Sequence, residues 1–252
     1  MFCVKKSLGL FFLVAISLLM GSCGLDLYYV LEPVQDVTAC DDTHDALNRY
    51  FSFVTNESPN ENSGIFVGTS VFYKIYDSKT ALTSDATSIS NANTTEYSEN
   101  GYTKMVSLGY KQMALSTNAD PLVECEYIDR NVKIRLFTEG TYYAGVQVAN
   151  VYVMDGEVNA IPLRSNGTTF DFFPNKDAEY TSKDGKYTKV GDKQYENATP
   201  SSASDDVKVT LSSTETWYVN AYVVSVGRTP TFTLKYSQIA PLGYIEIAKG
   251  NN

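Results

Sequence analysis

The single histidine, His44, sits in Asp41-Asp42-Thr43-His44-Asp45, where three carboxylates and an imidazole crowd into five residues. Such a set could supply part of a metal site. Zinc favours further imidazole or thiolate ligands, and calcium favours carbonyls and several carboxylates arranged in a loop. The acids read more simply as a polar turn or a helix start, where they complement the positive end of the helix dipole; no metal or other cofactor is expected. A serine hydrolase would have to use His44 as its base, and the sequence contains no Gly-x-Ser-x-Gly elbow to present the serine. Glu124 and Glu126 could share one strand face as paired carboxylates for glycoside cleavage, but 29 acids make such pairs common by chance, and no catalytic residue is expected. Tyr218 and Tyr222, on the strand face opposite Trp217, could stack on sugar rings or on a protein partner. A second layer covering them would make them core instead.

The remaining chemistry belongs to four cysteines, Cys3, Cys23, Cys40 and Cys125. Cys3 falls in an opening segment, Met1-Phe2-Cys3-Val4-Lys5-Lys6, that carries two positive charges and no acid. An apolar run from Leu8 to Met20 follows, interrupted by Gly9 and Ser17, and it ends on Gly21-Ser22. Positive start, apolar middle and small-residue end are the parts of a secretory signal. At about 1.5 Å per residue the run spans roughly 20 Å, short of the roughly 30 Å hydrocarbon core. The junction Leu19-Met20-Gly21-Ser22-Cys23-Gly24 resembles the bacterial lipoprotein signal, or lipobox, with Met20 in place of the usual Leu. The resemblance implies that residues 1–22 are removed and that Cys23 becomes a diacylglyceryl-modified, acylated N-terminus. One acyl chain binds a membrane only marginally, whereas two or three hold firmly. The residue after the cysteine is Gly24 rather than the Asp that resembles an inner-membrane retention signal, which favours the outer membrane.

Cleavage there leaves 230 of the 252 residues, with 18 bases against 29 acids once Lys5 and Lys6 are gone, a net charge of −11. An acidic domain without a basic cluster argues against nucleic acid and against electrostatic docking on anionic lipid. Within the mature chain only Cys40 and Cys125 could pair. A bridge would close a loop of about 86 residues, worth roughly 4 to 5 kcal/mol in the chain-entropy model, and an exported compartment permits it; two separate buried thiols are the alternative.

The elements that would carry these residues are mostly strands. Tyr (19) and Phe (12) dominate a chain rich in Thr, Val and Ser, a strand composition. Val132, Ile134 and Leu136 alternate with Lys133 and Arg135, and similar alternation recurs at 207–211 and 231–236. Longer runs at 65–76, 142–154 and 217–226 predict more central strands. Asp155-Gly156 and Asn166-Gly167 predict hairpin turns. Residues 79–92 place Ala81, Leu82, Ala86 and Ile89 near one helical face, and 41–51 offers a weaker helical pattern. Residues 175–206 are polar and read as a long loop; residues 23–38 read as the lipidated N-terminus and tether, although 27–32 could pair as a first strand. The expected fold is therefore all-β, an antiparallel β-sandwich of immunoglobulin/fibronectin-like or jelly-roll-like type over residues 39–252, with one or two short helices. If there are two sandwiches, the boundary falls at 115–130.

Two patches, Cys23-Gly24-Leu25-Asp26-Leu27-Tyr28-Tyr29-Val30-Leu31-Glu32-Pro33 and Phe72-Tyr73-Lys74-Ile75-Tyr76, resemble uncharacterised lipoproteins of spirochaetes. The second patch also resembles a strand of immunoglobulin-like and fibronectin-like sandwiches. That resemblance brings no catalytic residues. The expectation is a lipid-anchored, non-catalytic binding or interaction domain at the cell envelope, periplasmic or surface-exposed, with a protein or glycan partner. A carbohydrate-binding module using exposed aromatics is the alternative, and a carboxylate-based hydrolase the third.

Overall fold

The computed structural model of the chain describes residues 29–248, apart from 46, 95–98, 140, 172–179, 184–185, 190–193, 196–199, 213 and 215, with the backbone alone described over 180–195. The signal segment, Cys23, Gly24 and the start of the tether lie outside the described residues.

Two main sheets are built from β1 (Gln35–Thr38), β2 (Phe51–Val54), β3 (Phe66–Tyr76), β4 (Lys111–Gln112), β5 (Val123–Glu124), β6 (Asn131–Arg135), β7 (Gly145–Val148), β8 (Val151–Tyr152), β9 (Val207–Lys208), β10 (Thr216–Arg228), β11 (Leu234–Tyr236) and β12 (Ala240–Ala248). The smaller sheet runs β1-β2-β6-β7-β8 and is antiparallel throughout. The larger has seven strands around the long antiparallel pair β3–β10; β12 and β11 join β10, while β4, β5 and the parallel β9 join β3. The described helices are α1 (Glu57–Glu61), α2 (Lys79–Ala92) and α3 (Asn100–Ser107).

Period-2 alternation along β3 and β10 builds three layers from these parts. Val71, Tyr73 and Ile75 join Trp217, Val219, Ala221 and Val223 in one core with Phe51, Phe53, Val132, Ile134 and Val146 of the smaller sheet. The intervening residues Phe72, Tyr76, Tyr222, Val224 and Val226 form a second core with Leu82 and Ile89 of α2 and Met105 of α3. Both faces of the larger sheet are thus covered, one by a sheet and one by helices, so its central strands read as continuous apolar runs. Helix α2 starts where Ser78 caps it, its side chain accepting from the Ala81 N–H. The all-β sandwich is the observed architecture, with a helical layer added.

Several local expectations change. The described residues of 41–50 form turns and bends rather than a helix, and Phe51 already belongs to β2. Asp41 accepts from the Thr43 N–H and hydroxyl, and Asp45 from the Asn48 N–H; such local bonds offer the backbone an alternative to the helical ladder. The run at 142–154 is split, because Ala149 and Asn150 both adopt positive φ (52° and 65°) in the two-residue turn joining β7 to β8. The tether ends earlier than residue 38. Leu31 packs with Ile65 and Phe66, and Asn60 clamps Glu32, accepting from its N–H at 2.8 Å and donating to its carbonyl at 2.9 Å. Residues 175–206 carry a three-stranded antiparallel sheet (Tyr180–Lys183, Lys186–Lys189, Gln194–Tyr195) instead of only a loop. The 115–130 segment is no linker: β4 precedes it, β5 lies within it, both pair with β3, and residues before and after it share one core.

Candidate functional site

The sequence-marked residues are largely engaged with their own neighbours. His44 Nδ1 lies 3.1 Å from Asp41 Oδ1, and Thr43 holds the Asp41 carboxyl down to about 2 through its hydroxyl and backbone N–H. Asp42 pairs with Lys79 at 2.6 Å. Among the described residues no three His, Cys, Asp or Glu side chains converge to hold a metal ion. Glu124 and Glu126 line an open cleft floored by Leu122, Val123 and Val153, but Glu126 is taken by Arg130 at 3.1 Å.

Cys40 and Cys125 are free thiols, so the bridge considered from the sequence is not formed. Cys40 lies in the main core, where burial pushes its thiol up to about 11, while Cys125 packs at the edge of the Leu31–Ile65–Phe66 cluster. Tyr222 does not face a ligand. It is buried under the helical layer, edge-on to Tyr110 at 5.4 Å, and burial pushes its phenol up to about 12. Tyr218 is half-buried against Tyr244 at 5.7 Å. The reason is the third layer: the face opposite Trp217 receives α2 and α3.

Among the described residues no layer covers the outer side of the smaller sheet, and a groove of about 330 Å³ lies there, within the roughly 300–1,000 Å³ typical of small-molecule sites. Register places its floor. Ser52 opposes Lys133, Lys133 opposes Gln147 and Gln147 opposes Tyr152, one continuous cross-strand row, with Arg135 opposite Gly145 in the next. Gly145 has no Cβ where one would stand 3.0 Å from two carbons of the Tyr152 ring, so the ring lies against the sheet. Tyr50, just before β2, and Tyr142, in the turn closed by its backbone pairing with Glu139, form the walls.

Arg135 holds these walls in place. Its guanidinium sits 5.5 Å from the Tyr50 ring centre and 5.1 Å from that of Tyr142, and it donates to the carbonyls of Leu47 at 2.8 Å and Arg49 at 3.2 Å. Burial pushes its pKa below the ordinary value, against the opposing pull of Tyr152, Glu139 and the two wall tyrosines; it stays a cation at neutral pH. Arg49 grips both oxygens of Glu139 at 2.7 and 2.9 Å, tying the two walls together. Lys133 Nζ lies 5.4 Å from the Tyr50 ring centre, and none of the ten lining residues is acidic. The groove offers three rings, two cations and the amides of Asn48 and Gln147, a set suited to stacking and hydrogen bonding.

None of these seven residues was marked as functional by the sequence. The alternation that marked Val132 and Ile134 as inward also marked Lys133 and Arg135 as outward, but an outward polar row looks the same whether it faces water or a ligand. No family model matches the chain, and neither a curated protein nor a solved structure does.

Proposed function

We propose that the chain is an exported lipoprotein, held by acyl groups on Cys23 at the outer membrane, whose folded domain is a non-catalytic binding module. The observation that carries the binding part is the groove: aromatic walls fixed by Arg135 and by the Arg49–Glu139 tie, open on a sheet face that no other described layer covers. Its rings are already ordered, so a ligand would meet a preorganised surface and the cost of arranging side chains on binding is small. The apolar run and the Gly21-Ser22-Cys23 junction support the anchor. Since the chain is packed from Leu31 onward, only a few residues would separate the domain from its lipid.

The test has two readouts on the full-length chain. Wild type is expected to stay with membranes in high salt while Cys23→Ala is released; a retained variant rejects the anchor. On glycan and peptide arrays, ligands of the wild type are expected to be lost by Tyr152→Ala, which removes the floor ring. Ligands that Tyr152→Ala retains at full signal would place the binding surface elsewhere.

A further inference from the structure

Within that binding reading, on which this inference rests, we infer that the groove takes a carboxylated sugar residue of an acidic glycan. The first ground is charge. The chain has 29 acids against 20 bases, yet the groove lining holds Lys133 and Arg135 and no acid. Among the described residues no carboxylate pairs with Lys133, whose amine instead rests against the face of Tyr50. A cation placed over a ring, with no paired carboxylate among the described residues, favours an anionic ligand over the cationic ones that the acidic surface would draw.

The second ground is shape. The Tyr152 ring packs close over Gly145, and Tyr50 and Tyr142 line the same groove. The face of a tyrosine ring is electron-rich, and the C–H-bearing face of a pyranose is its complement. Gln147 supplies an amide beside the rings that can both donate and accept, as sugar hydroxyls require, and Asn48 adds a second whose nitrogen also donates to Asp45 at 3.1 Å. Ring floor, amides and a cation at one end fit a pyranose bearing a carboxylate, with the carboxylate directed at Lys133. Arg135, whose N–H groups serve two carbonyls, contributes positive potential and holds the walls. A neutral sugar would leave the charge of Lys133 unanswered, and an aliphatic peptide segment offers no carboxylate to meet it.

Titration calorimetry of the full-length chain with uronate and sialate oligosaccharides, each beside its methyl ester, separates ring from charge. The ester keeps the sugar and removes the anion. At least one acid form is expected to bind, about tenfold tighter than its ester and with affinity falling as salt rises, since an ion pair is screened and stacking is not. Lys133→Gln should bring acid and ester to equal affinity, while Tyr152→Ala should weaken both. Equal binding of acid and ester by the wild type would overturn the acidic specificity yet leave the groove as the binding surface. Failure of every acid form to bind overturns the sugar assignment, and the binding-module reading falls with it only if no array ligand depends on Tyr152. Acid binding that Tyr152→Ala and Lys133→Gln both leave unchanged overturns the placement in this groove.

Discussion

Replacing Arg164 by leucine is expected to lower the unfolding free energy at neutral pH by about 3–5 kcal/mol, the usual cost of stripping one partner from a buried ion pair. Arg164 and Asp206 are almost wholly buried, and they meet through two bonds, Nε to Oδ2 at 2.8 Å and the terminal nitrogen to Oδ1 at 2.7 Å. Tyr73 adds a third, its hydroxyl donating to Asp206 Oδ2 at 2.7 Å while accepting from the Ser165 N–H at 2.7 Å. The cluster fastens the turn at Arg164–Gly167 to β3 and to the start of β9, where the Ile75 N–H donates to the Asp206 carbonyl. Without the guanidinium, Asp206 keeps its charge in the core with one phenol to answer it. Pairing both changes, Arg164→Met with Asp206→Leu, should recover most of the loss, because an apolar pair of similar volume commonly replaces a buried ion pair at little cost.

The pH dependence of this loss has a definite sign. Burial alone would raise the Asp206 pKa, but the Arg164 and Tyr73 bonds outweigh it and hold the carboxyl below its ordinary value. A depressed folded pKa contributes stability that is present above the unfolded value of roughly 4 and disappears as pH falls through the folded one. In Arg164→Leu burial acts unopposed by the cation, so the carboxyl takes up its proton at higher pH and relieves the strain. The gap between wild type and variant should therefore narrow on acidification, from the variant's side first and from the wild type's side below about pH 4. Urea unfolding at pH 7, 5 and 3 reads it directly, and a gap that widens towards acid contradicts the assignment of Asp206 as the buried anion.

How far the chain could be read without coordinates follows from the range of each interaction. The strands at 131–135, 66–76 and 216–228 and the helix at 79–92 were legible because period 2 and period 3.6 are local properties of a few adjacent residues. The turn at Ala149–Asn150 was not, since neither residue pair nor spacing gives the Asn-Gly signal that positive φ usually leaves. The fate of Tyr222 depended on whether something covered its strand face, and what covers it arrives from α2 and α3, more than a hundred residues away in sequence. The groove failed for the same reason in reverse. Tyr50, Lys133, Tyr142 and Tyr152 come from separate segments, and only the β2-β6-β7-β8 register puts them side by side. What the sequence held was each residue's facing; which faces stay open is decided by the layers.

Gly243→Ala is expected to cost at least about 3 kcal/mol, from two sources that a companion variant separates. Gly243 has φ of +77°, and a Cβ there would stand 2.1 Å from the Cys40 carbonyl oxygen and 2.8 Å from the Cys40 nitrogen. Both are backbone atoms, so no side-chain rotation relieves the overlap. The same close approach carries two hydrogen bonds, the Cys40 N–H to the Leu242 carbonyl at 3.0 Å and the Tyr244 N–H to the Cys40 carbonyl at 2.8 Å. They dock the segment between β1 and β2 onto β12 and so join the two sheets at their edge. The methyl group must push that segment away, giving up both bonds at roughly 1 kcal/mol each and adding about 1–2 kcal/mol for a left-handed residue with a Cβ. Gly156, at φ +63° in the 154–159 hairpin with nothing within 4 Å of its would-be Cβ, carries the conformational cost alone. Gly156→Ala should therefore lose about 1 kcal/mol in urea unfolding, and Gly243→Ala clearly more. Displacing the docked segment also uncovers Cys40, whose buried thiol is pushed up to about 11, so native-state alkylation of Cys40 at pH 8 should accelerate in Gly243→Ala and not in Gly156→Ala. Equal losses in the two variants, with Cys40 still protected, would mean that the Cys40–Gly243 contact does not hold the sheets together.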